Sequence, residues 1–424
     1  MTAVRVHSPW LVLLAAAVGL PLAAQEPATE GTPVEIGQRF TLHSEILGED
    51  RPVLVGLPAG YDESDEPYPV LYLLDGGAHF HHTTGTVRFL AENNRMPAAI
   101  VVAIPNLSGE GRTRDLTPPL EDEKSRTEFP TAGGAGDFLR FLTEELRPWV
   151  DARWRTRDFE ILVGHSFGGL FVTEVLNRDP SAFDAYLSIS PSLWWDEGAY
   201  LDRIADLFER HPEARGSLYM TMANEGTNML GGALVFAGTL SSHAPGSFRW
   251  HWRHMPTESH GTIPARTIYD GLEWTFEGWD PMPLLMSIAL DGDPAAPAME
   301  ALDAHYRGLS ERMAWEVRPP ADLFWNVGSY LLDEGRPEDG VAVFTALVRW
   351  YPDHSSSHRG LATALTADCR FDEARSHYGH ALARAEASED ESGVAAVREG
   401  LTALDEAAAA GSSCGGDPAG LSLR

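Results

Sequence analysis

The chain has 424 residues, ample for a large core and for two or three domains. Its 32 basic and 62 acidic side chains leave a formal charge of −30, which argues against nucleic acid and against an anionic membrane surface as partners. Hydrophobic content is ordinary for a globular protein.

Residues 1–24 read as a secretory signal. Arg5 supplies a weak positive region, Trp10 to Leu20 an apolar region, and Pro21 to Ala24 a small-residue cleavage zone. The expected location is therefore periplasmic or secreted, with a flexible leader over residues 25–35. The apolar stretch is short for a membrane-spanning helix, and no later segment is long enough for one. Only Cys369 and Cys414 are present; export permits a disulfide between them, and two distant cysteines make no recognisable metal site.

From Arg39 to about Phe276 strand and helix signals alternate, as in an α/β domain, here given the bounds 35–278. Arg39 to Ile46 and Pro52 to Leu57 read as an opening strand pair. Tyr68 to Leu74 is an apolar run ending in Asp75-Gly76-Gly77, and Ala98 to Ile104 is another, ending in Pro105-Asn106. Both read as strands of a mostly parallel sheet, buried on two faces. Asp137 to Val150 reads as a helix with Phe138, Phe141, Leu142 and Leu146 on one side. Further strands are expected over Phe159 to Val163, Asp184 to Ile189, Ser217 to Ala223 and Phe248 to Met255. A helix over Thr267 to Phe276 closes the domain.

Pro281 to Pro297 is punctuated by proline and aspartate, and residues 279–319 are read as a linker or helical connection. Within 320–410, Phe324, Val327, Gly328, Leu331, Gly335, Gly340, Phe344, Leu347 and Pro352 fall at the positions of one tetratricopeptide-like repeat. A second unit follows 34 residues later, with Leu361, Ala362, Leu365, Ala374, Tyr378 and Ala381 in matching places. With a helix near Ser392 to Leu404 this is a short array, expected to pack on the preceding domain or on a second subunit. Residues 411–424 read as a flexible tail.

The strongest chemical signal is Gly164-His165-Ser166-Phe167-Gly168-Gly169, between the strand at Phe159 to Val163 and an amphipathic run from Leu170 to Leu176. Glycines at this spacing let a strand turn sharply into a helix, with the serine exposed at the apex. A serine hydroxyl needs a base within hydrogen-bond reach and a third group to orient that base. On this type of fold they come in the order serine, acid, histidine. His260, in the loop after the last strand, is the expected base; His251 and His254 lie inside that strand, and His165 is expected to point away from the serine. Glu225, just past the strand Ser217 to Ala223, is the expected acid, with Asp196 and Glu258 as alternatives. The oxyanion hole is expected from the backbone N–H of Phe167 and one near Gly77 or Ala78.

Five segments together carry a resemblance: Tyr72 to Gly76, Arg112 to Pro118, Gly164 to Gly169, Ser190-Pro191-Ser192-Leu193-Trp194-Trp195, and Glu258-Ser259-His260-Gly261. Over roughly residues 35–278 the chain resembles the putative esterase (esterase D-like) family of α/β hydrolases, which includes siderophore esterases. The resemblance implies an α/β-hydrolase fold and ester hydrolysis through an acyl-enzyme, without a metal or other cofactor. It places the nucleophile at Ser166 and the base at His260.

Arg112 and Arg114 follow a strand at the ligand-binding edge and are expected to clamp an anionic group of the substrate, the alternative being that Arg114 pairs with Asp115 or a nearby glutamate. Trp194 or Trp195 is expected to wall the pocket, Trp194 being preferred, with the other in the core. The reading is an exported serine esterase acting on a small-molecule ester, with protein partnership or self-association through the C-terminal helices. An acyltransferase with the same triad, and a non-catalytic hydrolase-fold scaffold that recruits a partner, are the alternatives.

Overall fold

The computed structural model describes residues 31–288 and 292–410. The expected signal segment, the tail and Cys414 lie outside the described residues. The chain divides into two compact units, residues 1–35 and 36–424. Of the first, residues 31–35 are described and have no regular secondary structure.

The second unit is built on an eight-stranded sheet of order β1-β2-β4-β3-β5-β6-β7-β8. The strands are β1 (Gln38–Ser44), β2 (Glu49–Gly56), β3 (Tyr68–Leu74), β4 (Ile100–Ile104), β5 (Thr156–His165), β6 (Ala185–Ile189), β7 (Gly216–Ala223) and β8 (Phe248–Met255). β1 and β2 form an antiparallel pair, and β2 joins β4 antiparallel. From β4 to β8 all pairings are parallel. β3, β4 and β6 are buried at every residue, which is why they read as unbroken apolar runs. β8 lies at the sheet edge, and its Arg249, Arg253, His251 and His254 face outward at least in part. Charged side chains of this kind discourage pairing with another edge.

The chain leaves β3 towards β4 on one side and later returns to place β5 on the other. The crevice between the ends of β3 and β5 is thus the topological switch point, where ligands bind in open parallel sheets. Asp75 follows β3, and Ser166 follows β5.

The expected helix over Asp137 to Val150 spans residues 135–151 and contains a π-helical turn, Phe141–Leu146. Phe138, Phe141, Leu142 and Leu146 are all buried in the core on one face of the sheet. Three substantial helices were not anticipated from the pattern: Gly76–Glu92, Gly109–Leu116 and Thr227–His243. Each begins within a few residues of the carboxyl end of a strand, at the sheet edge that carries Asp75 and Ser166.

The C-terminal region is all helical among the described residues: Met282–Met286, Ala295–Met313, Ala321–Asp333, Pro337–Trp350, Ser355–Ala367, Phe371–Ala387 and Glu391–Ala409. The segment expected as a linker therefore contains a 19-residue helix, Ala295–Met313. The helix starts Ala321 and Pro337 recur 34 residues later as Ser355 and Phe371. The second core cluster runs from the other face of the sheet (Leu71, Ile161, Leu187) through Phe276 and Tyr306 to Phe324 and Phe344. One continuous apolar interior thus joins sheet and helices.

Phe344 shows how closely these helices pack. A Cβ added at Gly328 would lie 2.6 Å from its ring, and one at Gly360 would lie 2.5 Å from it. Gly360→Ala is expected to destabilise the helical region by about 1–2 kcal/mol. Overpacking costs about 1–3 kcal/mol, and alanine's better helix propensity returns under about 1 kcal/mol. A lower urea midpoint, followed by tryptophan fluorescence, is the check.

Candidate active site

The elbow at the end of β5 is dictated by its glycines. A Cβ at Gly164 would stand 2.2 Å from the Gly168 carbonyl oxygen, and one at Gly169 would stand 2.9 Å from the Ile189 oxygen. Only glycine lets strand and helix approach this closely. Ser166 sits between them at φ 61° and ψ −114°, as the cap of the helix Phe167–Arg178. For a non-glycine residue this is a strained conformation. It is held by Ser166 N–H to Ile189 O at 2.9 Å, and by Leu170 N–H and Ser192 N–H donating to Ser166 O at 2.9 and 3.2 Å. Among the described residues Ser166 bonds through its backbone alone.

His260 and Glu225 come together from the loops after β8 and β7. His260 Nδ1 lies 2.8 Å from Glu225 Oε2. The carboxylate is 11% exposed and the imidazole 43%, so the pair opens towards solvent on the histidine side only. Asn224 N–H donates to Glu258 O at 2.9 Å and ties the two loops together. Glu225 Oε1 is buried and has no hydrogen-bond partner.

The alternatives for the acid are engaged elsewhere. Asp196 accepts backbone N–H groups of Glu121 and Asp122 at 2.9–3.1 Å and faces Arg203. Glu258 accepts from Thr262 Oγ1 at 2.7 Å. Among the other histidines, His251 stacks on Tyr219 and His254 is exposed.

His165, expected to point away from the serine, packs against His260. Its ring lies 4.3 Å, centroid to centroid, from that of His260. On its other side His79 meets it at 5.6 Å, and His79 Nδ1 lies 3.1 Å from His82 Nε2. Burial, with His260 and His79 alongside, pushes His165 down to about 3, and burial pushes His82 down to about 4. These rings are neutral at pH 7 and form an uncharged wall beside His260. The sequence signal for them was His79-Phe80-His81-His82, immediately after the β3 turn.

The two arginines expected to clamp substrate face protein carboxylates instead. Arg114 bonds Glu49 at 2.5 Å and Asp115 at 2.7 Å. Asp115 also bonds the fully buried Arg51 at 2.7 Å, so Arg114 belongs to a structural ion network. Arg112 grips Asp75 through Nε at 2.6 Å and Nη2 at 2.9 Å. Asp75 lies 37 residues from Arg112 in sequence and Glu49 lies 65 from Arg114, so neither contact shows in the motif, whereas Asp115 is the neighbour of Arg114.

Trp194 is half-buried, with its ring 6.3 Å from that of Phe167. Trp195 is fully buried and donates its indole N–H to Pro118 O at 3.1 Å. Of the two N–H groups considered beside β3, that of Ala78 donates to Asp75 O at 2.9 Å. Gly77 is exposed in the first helical turn, where N–H groups have no partner within the helix.

A mostly parallel sheet with a strained serine elbow at its switch point, and a histidine–glutamate pair beyond β7 and β8, define an α/β hydrolase. Residues 44–230 match the family model described as Putative esterase, and over that span the chain is similar to that family. The matched span holds Ser166 and Glu225 and ends before His260. The ferri-bacillibactin esterase BesA of Bacillus subtilis is 36% identical over 148 residues, which are 31% of this chain and 50% of that protein. The siderophore triacetylfusarinine C esterase of Aspergillus fumigatus is 34% identical over 180 residues, 39% of this chain and 59% of that protein. The chain thus spans about half to three-fifths of the length of these curated relatives. Among solved structures, an IroE-like serine hydrolase from Shewanella oneidensis matches with TM-score 0.62 and 29% identity. That match covers 74% of this chain and 99% of the other, more of this chain than its α/β domain supplies.

Proposed function

We propose that this chain is an exported serine esterase that hydrolyses carboxylic esters, of siderophore type, through an acyl-enzyme on Ser166. The observation that carries the reading is the 2.8 Å contact of His260 Nδ1 with Glu225, at the same sheet edge as the strained Ser166 elbow. A carboxylate on Nδ1 keeps the proton there and leaves Nε2 as the basic nitrogen.

The Ser166 hydroxyl gives its proton to His260 Nε2 as Oγ bonds to the ester carbonyl carbon. The Phe167 and Gly77 N–H groups receive the oxyanion. The tetrahedral species collapses, and the alkoxide leaves with the proton from His260. Water then attacks the acyl carbon, again giving a proton to His260. Collapse releases the acid and returns the proton to Ser166 Oγ. The Ser166–His260 hydrogen bond is expected to form in the substrate complex, since such bonds are often long without substrate.

The siderophore class rests on the similarity to siderophore esterases, each of them longer than the matched span. Export rests on the composition of residues 1–24. The 34-residue recurrence of helix starts supports a tetratricopeptide-like array in residues 320–410 as a surface for a partner or a second copy.

The test is fluorophosphonate labelling of the purified chain, followed by peptide mass mapping and a panel of p-nitrophenyl esters alongside a ferric triscatecholate ester. Labelling at Ser166 with turnover of the triscatecholate ester is expected. No label on Ser166 would falsify the mechanism; labelling with turnover of simple acyl esters alone would remove the siderophore class.

A further inference from the structure

Two turns must be held together for the oxyanion hole to exist. One is the β3 turn at Asp75 to Gly77, and the other is the elbow at His165 to Phe167. They hang from neighbouring strands, β3 and β5, and no stretch of chain joins them directly.

Arg112 touches both. In the helix Gly109–Leu116 its guanidinium grips the Asp75 carboxylate through two parallel bonds of 2.6 and 2.9 Å. The same Nη2 donates to the His165 carbonyl oxygen at 3.1 Å. The guanidinium also lies 5.4 Å from the centre of the Phe167 ring. Asp75 is itself the pivot of the β3 turn, at φ 53° and 8% exposed. Asn106 donates to Asp75 Oδ1 at 2.5 Å. A Cβ at Gly168 would lie 3.3 Å from Asp75 Oδ2, so the carboxylate rests against the elbow backbone.

Arg112 is in turn held by its own helix. Arg114 and Asp115 of that helix bond Glu49 and the buried Arg51. Burial works against the Asp75 charge, yet the hydrogen bonds from Arg112 and Asn106 keep its carboxyl below the usual range. The pair is therefore ionised at neutral pH.

We propose that Arg112 and Asp75 are positioning residues: a rigid strut that sets the separation of the Gly77 and Phe167 N–H groups. This rests on the reading of Ser166 as nucleophile. A planar fork with fixed geometry suits the task, and a lysine ammonium does not reproduce it. Displacement of donors by well under 1 Å weakens an oxyanion hole, and loss of one donor elsewhere costs about 10²–10³ in kcat.

The test uses the full chain with Arg112→Ala, Arg112→Lys and Asp75→Asn. Each is assayed on p-nitrophenyl butyrate, which is neutral, and on the mono-p-nitrophenyl ester of succinate, which is anionic. The strut predicts a fall in kcat of roughly 10²-fold for Arg112→Ala and roughly 10-fold for the other two. The fall is the same on both esters, and KM stays within about three-fold. Fluorophosphonate labelling of Ser166 slows in parallel. Guanidinium ion at millimolar concentration restores part of the Arg112→Ala kcat, which recovery of a merely destabilised fold would not give.

A rise in KM confined to the anionic ester would show a substrate clamp and overturn the strut. So would wild-type kcat in Arg112→Lys. If the unmodified chain itself fails to label at Ser166, the esterase reading fails first. If it labels and the Arg112 variants label equally fast, the strut alone fails.

Discussion

Ser166→Ala is expected to lower kcat on a p-nitrophenyl acyl ester by about 10⁴-fold or more, with KM within a few-fold of the parent. Removing a nucleophilic serine from a comparable triad costs about 10⁶ in kcat, and the remaining turnover comes from binding and the oxyanion hole. The fold has little reason to respond. Among the described residues Ser166 bonds only through its backbone, and these three hydrogen bonds survive in alanine. The strain at φ 61° is shared by both residues, since each carries a Cβ. The melting temperature is therefore expected to shift by no more than about 2 °C, within the usual range for a change that removes no packing. Activity near the parent level in a folded Ser166→Ala chain would mean that another group attacks the ester.

That residue was legible because the elbow is a local device. Gly164, Gly168 and Gly169 serve contacts made within a few residues or to the next strand, so their spacing survives in the sequence. The buried strands were legible for a similar reason: β3 and β4 meet apolar side chains on both faces and leave no polar position to blur the run. The helix Gly76–Glu92 was not. Its Thr83, Thr84, Gly85 and Thr86 disfavour helix, and packing of Phe80, Val87 and Leu90 against the sheet overrides them. In the Arg112 to Asp115 segment the pairing of Arg114 with Asp115 was legible as an alternative, and that of Arg112 with Asp75 was not. Whether a guanidinium faces substrate or Asp75 depends on where β3 lies, and spacing along one chain does not carry that. The packing of His165 against His79 and His260 was not legible, because it depends on where the turn after β3 and the loop after β8 lie.

Glu225→Gln is the second large expected effect, with a fall in kcat of about 10³–10⁴-fold and a small effect on stability. Replacing the triad acid by its amide in a chymotrypsin-type enzyme lowers kcat about 10⁴-fold with the geometry intact. The cause applies here. Glu225 can only accept from His260 Nδ1 at 2.8 Å, so it fixes the proton there and leaves Nε2 free to receive the serine proton. Glutamine of the same shape can offer its NH₂ group to Nδ1. That stabilises the other tautomer, with the proton on Nε2, where it blocks proton transfer from Ser166. The variant also loses the charge that stabilises the imidazolium formed during attack. Two controls separate this role from that of an ordinary buried carboxylate. Glu258→Gln removes an acceptor for Thr262 and is expected to keep kcat within a few-fold. Asp196→Asn weakens the seat of the Glu121 and Asp122 backbone N–H groups, so it is expected to lower the melting temperature while kcat changes far less than in Glu225→Gln. Steady-state kinetics with a thermal melt on each variant decides the assignment: if Asp196→Asn or Glu258→Gln gives the large kcat loss and Glu225→Gln does not, the acid is not Glu225.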